Sequence, residues 1–188
     1  MLVYVPATLN ALTTLQREGE LFPLGGTVFG VTPALREAYT SGDDDELAEA
    51  AMRQAARASL RLLAIDEPDG AEPDGAGDAV ADGGGAAAGA GAPLPVRRVV
   101  ITADVGSAKE RPDLDDAVLK VTQPIRLKDV VAVHVDVAAA EDAVKAAAAV
   151  VDAADLGDED AELAVGDAED HDLAWYATQE LPFLLELL

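Results

Sequence analysis

The chain has 188 residues, no cysteine and a formal net charge of -23, enough for one domain with one core and too little apolar material for two. The missing cysteines exclude disulfides, thiol nucleophiles and cysteine metal sites, and fit a reducing, cytoplasmic setting. A field of this sign repels nucleic-acid phosphates and anionic lipid, and Met1 to Pro6 lacks a basic leader, so neither nucleic acid nor a membrane is an expected partner.

In chain order, Leu2 to Val5 reads as a first strand that ends at Pro6. Thr8 caps a helix whose Leu9, Leu12 and Leu15 follow helical spacing up to Gly19. Thr27 to Val31 is a second strand, and Thr32-Pro33 opens a short helix with a cap followed by proline at its first position. Asp43 to Glu46 restart the chain with a carboxylate cap and acids in the first turn. The spacing predicts a long helix from about Asp44 to Ile65, with Leu47, Ala51, Ala55, Ala58, Leu62 and Ile65 on its core stripe. Arg53, Arg57 and Arg61 form a second line on that helix at steps of four.

Residues 66–96 hold eight of the sixteen glycines, seven acids and no Lys or Arg. Such a stretch cannot bury enough surface to offset ordering, so it reads as a disordered acidic linker between residues 1–65 and 97–188, the two halves of one domain. Its Gly83 to Ala88 matches a nucleotide-binding glycine pattern by letter only, since no strand leads into it. Arg97 to Ala103 is a third strand, Ala117 to Val121 a fourth, and Val130 to Val135 a fifth. Asp136 reads as the cap of an alanine-rich helix from about Ala138 to Ala153. Strands alternating with helices predict an α/β fold: one layered domain, with a mixed, mostly central sheet of about five strands and helices packed on it.

The last 43 residues carry twelve acids and no Lys or Arg. Asp155 to Asp170 reads as a solvated acidic loop. It passes part of a calcium-loop test, with Asp158, Asp160, Glu162 and Glu169 at ligand positions, but fails it at Leu163, where the turn demands glycine. No metal and no cofactor is expected. Asp167 then caps a C-terminal helix that contains the only tryptophan. Helical spacing puts Leu173, Ala177 and Leu181 on an inward face and His171, Trp175 and Gln179 on an outer one, with Tyr176 and Glu180 beside it. These five polar and aromatic residues are the candidate partner or ligand surface. A chain with so few aromatics also needs Trp175 as a core anchor, and that is the competing interpretation.

Arg53, Arg57 and Arg61 either bind an anion or neutralise the acidic C-terminal segment within the molecule; the second follows from the countercharge those acids require. Asp104, His134 and Asp136, each near a strand end, are the residues that a small-molecule or metal-dependent enzyme would use. No G-x-S-x-G, Walker loop or H-E-x-x-H is present.

The start Val3-Tyr4-Val5-Pro6-Ala7-Thr8, the segments Val31 to Leu35 and Ala56 to Leu63, and the end Trp175 to Glu180 resemble a family of small acidic actinobacterial proteins, a domain of unknown function. The resemblance spans the chain except residues 66–96, which look like an insertion. It implies a cytoplasmic, stand-alone domain and brings no activity with it. The reading that the residues support is a non-enzymatic interaction or regulatory protein that docks a basic or apolar protein partner through its acidic C-terminal helix, with homo-oligomer formation through the apolar C-terminus, Phe183 to Leu188, as the other partner class. An acidic decoy that mimics phosphate is a third class.

Overall fold

A computed structural model describes residues 1–66 and 93–188. The interior of the expected linker therefore lies outside the described residues. The elements are β1 (Leu2–Ala7), α1 (Leu9–Glu18), β2 (Glu20–Leu21), β3 (Thr27–Phe29), α2 (Pro33–Ala38), α3 (Asp44–Asp66), β4 (Val99–Asp104), β5 (Lys109–Glu110), β6 (Val118–Lys120), β7 (Ile125–Arg126), β8 (Val130–Asp136), α4 (Glu141–Asp155), α5 (Glu159–Glu169), β9 (Leu173–Ala177) and α6 (Leu181–Glu186). Seven strands form one sheet in the order β5-β6-β3-β1-β4-β8-β9, and β2 pairs with β7 apart from it. The α/β architecture is the expected one, but the strand number exceeds five. The sheet is also not mixed: every pairing among the described residues is antiparallel.

Strand alternation divides the apolar side chains between two faces. Val3, Val5, Val99, Ile101, Val133 and Val135 point to one face and pack with Leu9, Leu12 and Leu15 of α1 and Leu181 and Leu184 of α6. Val100, Phe29 and Val118 point to the other, where Leu47, Ala51 and Ala55 of α3 cover them. A third cluster joins the second half of α3, through Leu60 and Leu63, to α4 and α5. Its α4–α5 contacts are almost all alanine and valine, and such small side chains let two helices approach closely.

Caps set the element boundaries. Thr8 accepts from Ala11 N at the start of α1, and Gly19 ends it at φ 79, a left-handed conformation that glycine adopts without strain. Asp43 accepts from Asp45 N and Glu46 N, while Glu46 returns a carboxylate to Asp43 N, a reciprocal box at the start of α3.

The α3 stripe is rotated from the predicted one. Ala58 and Leu62 are only partly buried and Ile65 is exposed, whereas Ser59 is fully buried and the true line is Leu47, Ala51, Ala55, Ser59 and Leu63. A hydroxyl is tolerated there because Ser59 Oγ donates to Ala7 O at 2.7 Å and accepts from Val99 N at 3.1 Å, tying α3 to β1 and β4.

The largest correction is at the C-terminus. Asp155 to Asp170 is mostly helix rather than loop, with Asp158 capping α5 through Ala161 N. The stretch predicted as a helix capped by Asp167 instead forms a strand, a single 3-10 turn and a short helix. Five residues cannot distinguish periods of 2 and 3.6 when both place Leu173 and Ala177 together, and the open edge of β8 decides in favour of the strand. Asp136 caps nothing, because a 3-10 turn at Ala138–Ala140 precedes α4.

Candidate functional site: the β9 edge and its anchors

β9 is the last strand of the sheet, so among the described residues one side of its backbone has no strand beside it. Which residues face outward follows from two bonds. Asp136 N donates to Arg98 O, so Asp136, and by alternation His134, bond toward β4, leaving Val133 and Val135 to bond β9 through Tyr176 and Ala174. Independently, Ala177 N donates not to β8 but to the Glu180 carboxylate at 2.7 Å. Leu173 and Trp175 therefore turn their N–H and C=O groups away from the sheet.

The start of this strand is pinned by a buried ion pair. Arg98 is 2 % exposed and Asp136 is 0 % exposed. Arg98 Nε and Nη2 donate to the two carboxylate oxygens at 2.9 and 2.7 Å, Arg98 N donates to Oδ2 at 2.7 Å, and Nη2 also donates to His171 O at 2.8 Å. The bidentate fork satisfies the carboxylate and spends a remaining donor on the backbone just before β9. At the other end, Thr178 Oγ1 donates to Val130 O at 2.9 Å. The strand is thus held at both termini and bare along one side.

Trp175 is 61 % exposed. It lies directly across from His134, on the sheet face that carries α3, with Leu173 and Ala177 on the same side. His134 Nε2 is 3.2 Å from Thr102 Oγ1, and burial holds its imidazole below the ordinary value of 6.5, favouring the neutral ring. Further along this face, Tyr4 pairs in register with Thr102, and its phenol is pushed up first by burial and then by the Asp45 carboxylate. The result is a row of Tyr4, Thr102, His134 and Trp175 stepping toward the edge. Trp175 is the exposed member of the row; Tyr4 and His134 are half-buried, and Thr102 is buried with its hydroxyl beside the His134 ring.

The acidic helices α4 and α5 are bound to α3. Arg57 Nη2 meets Glu162 at 2.7 Å and Asp155 at 3.4 Å, while its Nη1 lies 3.4 Å from Glu169. Arg61 grips Asp155 through Nε and Nη2 at 2.6 and 2.9 Å. The Glu162 hydrogen bond is the main cause that holds the Arg57 pKa up, and Arg61 is the main cause that holds the Asp155 carboxyl low. Arg53 joins no ion pair among the described residues. It lines a cavity of about 170 Å³ with Glu49, Met52, Arg98, His171 and Leu173.

A family model described as a family of unknown function, DUF6912, matches residues 1–185. The chain belongs to this family. No curated protein matches it, and no solved structure does. In this DUF6912 member, therefore, the site has to be interpreted from its own geometry.

The structure separates the predicted outer face. Trp175 is on β9, His171 lies before the strand with its carbonyl on Arg98, and Gln179 and Glu180 are in the 3-10 turn after it. Tyr176 points to the opposite sheet face, where it packs on the α1 and α6 core. Glu180 serves the edge as the acceptor for Ala177 N.

Asp104, His134 and Asp136 do not converge. In an antiparallel sheet consecutive strands end on opposite sides, so Asp104, paired with Leu2 and holding the Met1 ammonium at 2.6 Å, is at the far end from Asp136. Asp158, Asp160 and Glu162 follow the cap and first turns of α5 rather than a calcium loop, and no metal-holding group of three or more His, Asp or Glu occurs among the described residues. Among these residues no helix is long and apolar enough to cross a membrane.

The sequence reading missed Arg98 as the anchor of β9. An arginine that leads into an apolar strand needs an acid, but Asp136 becomes that acid only when β4 and β8 pair in antiparallel register.

Proposed function

We propose that this protein is a non-enzymatic interaction or regulatory module that acts in the cytoplasm and binds a protein partner at its C-terminal segment. The surface is the β9 edge with Trp175, not a C-terminal helix. One observation supports this most: the only tryptophan of the chain is 61 % exposed on an edge strand whose ends are both fastened to the body. A tryptophan needed only for the core would be inside, and tryptophans left on rigid surfaces are typical anchors of binding sites. The acids on α5 and around β9 favour a partner that is basic or apolar at the contact.

The apolar C-terminus is partly spent on the body. Leu181 and Leu184 are buried against α1, whereas Phe183 and Leu187 remain exposed. A chain shortened to Glu169 would lose β9, the Arg98 bond to His171 O and two core leucines, so the informative variant is Trp175→Ala. Affinity capture with the native protein, Trp175→Ala and a distant surface control, Arg17→Ala, tests the proposal. It predicts a partner retained by native protein and the control and lost by Trp175→Ala; the same partners on all three folded proteins would refute it.

A further inference from the structure

We infer that the occupant of the β9 edge is an extended, basic segment of another protein that adds to the sheet as an eighth strand. This rests on the partner-binding reading above and specifies how the partner is held. Leu173 and Trp175 present two N–H and two C=O groups in strand geometry, and no residue of the chain is bonded to them among the described residues. Edge strands left in this state pair with other chains unless they are blocked. Among the described residues no proline or bulge interrupts Leu173–Ala177, and Glu180 occupies Ala177 N while the Trp175 N–H and C=O stay unbonded.

Charge selects among possible occupants. Glu169, Asp170 and Asp172 precede the strand, Glu180 follows it, and no Lys or Arg occurs from residue 146 onward. The nearest buried cation, Arg98, is already matched by Asp136. A second copy pairing β9 with β9 in antiparallel fashion, Leu173 opposite Ala177, would bring Asp170 and Asp172 of each copy toward Glu180 of the other. It would also require Ala177 N to give up its carboxylate. The opposite sheet edge, β5, carries Lys109 but is only two residues long. A foreign strand with Lys or Arg at alternate positions avoids these costs. Its cations can sit over the Trp175 ring and between the flanking acids, while the intervening apolar residues lie along Ala174 and Tyr176.

The sole tryptophan is its own reporter. The full-length protein is titrated with three end-capped heptapeptides: Lys-Val-Lys-Val-Lys-Val-Lys, the same peptide N-methylated at alternate residues, and Glu-Val-Glu-Val-Glu-Val-Glu. Trp175 emission is read together with sedimentation of the protein over a wide concentration range. The expected result is a saturable blue shift with the lysine peptide only, about tenfold or more weaker after N-methylation because two backbone bonds are lost, and weaker again in Glu180→Lys. Three outcomes would overturn strand addition: equal binding of the N-methylated peptide, which leaves charge attraction alone; no saturable shift; or self-association that Trp175→Ala abolishes, which gives the edge to a second copy. If affinity capture still depends on Trp175 while N-methylation has no effect, partner binding stands and the eighth strand does not.

Discussion

Replacing Asp136 by asparagine should remove a large share of the stability of the fold. The change conserves shape, so it isolates charge and hydrogen bonding. In the native protein the carboxylate accepts from Arg98 Nε, Nη2 and backbone N, and both side chains are essentially out of water. Asparagine keeps one acceptor oxygen, turns an NH2 group toward donors, and leaves the guanidinium buried without its counterion. Removing one partner of a buried pair costs about 3–5 kcal/mol, against a total of about 5–15 kcal/mol for a typical domain. Urea unfolding followed by circular dichroism measures this directly. The loss should recur in Arg98→Met, and the double replacement Arg98→Met with Asp136→Leu should cost less than the two single changes summed, because neither charge is then stranded. A loss below about 1 kcal/mol for Asp136→Asn would refute the assignment of this pair as the internal anchor of β4, β8 and β9.

Other consequences are smaller and separable. Ser59→Ala should cost about 1–3 kcal/mol in the same assay, since it leaves Val99 N and Ala7 O without their shared hydroxyl inside the protein. Trp175→Ala should change stability by less than about 1 kcal/mol, because the ring is mostly in solvent, and a core-sized loss would show that it is an anchor after all. His134 sits below its ordinary 6.5, so the unfolded chain takes up the proton first as pH falls. Its contribution is therefore fully present above about pH 6.5 and is lost on acidification; His134→Gln should flatten the fall in Tm between about pH 7.5 and 5.5, and an unchanged slope would contradict the burial argument. Asp155 is held low by Arg61 and then Arg57, so its contribution is present above its ordinary 3.8 and disappears at more acid pH. With these side chains between a quarter and just under half exposed, Arg57→Ala should cost about 1 kcal/mol or less, and the cost should shrink in high salt.

Local chemistry made much of this fold legible in the sequence. Thr8, Thr32-Pro33 and Asp43 are caps that act within three residues, and β1, β4 and β8 are runs too apolar to be anything but buried. What depends on contacts distant in the chain was not legible. Ser59 is absent from the predicted α3 stripe because its partners are 52 and 40 residues away. Asp136 looked like a helix cap because Arg98, its true partner, becomes adjacent only through antiparallel register. Arg57 and Arg61 do meet the acids of α4 and α5, which charge balance alone suggested. The strand at Leu173–Ala177 read as helix because its apolar residues suit both periods, and only the open side of β8 distinguishes them. The acidic run before it became α5 once Asp158 supplied a cap and Arg57 a countercharge.

Hydrogen exchange at the individual amides of β9, followed by NMR, tests the central claim most directly, because the claim is that this strand is bonded on one side and open on the other. The account predicts protected amides at Ala174 and Tyr176 and fast exchange at Trp175 between them. Protection at Trp175 equal to that of its neighbours in the free protein would contradict it, since the edge would then already be occupied.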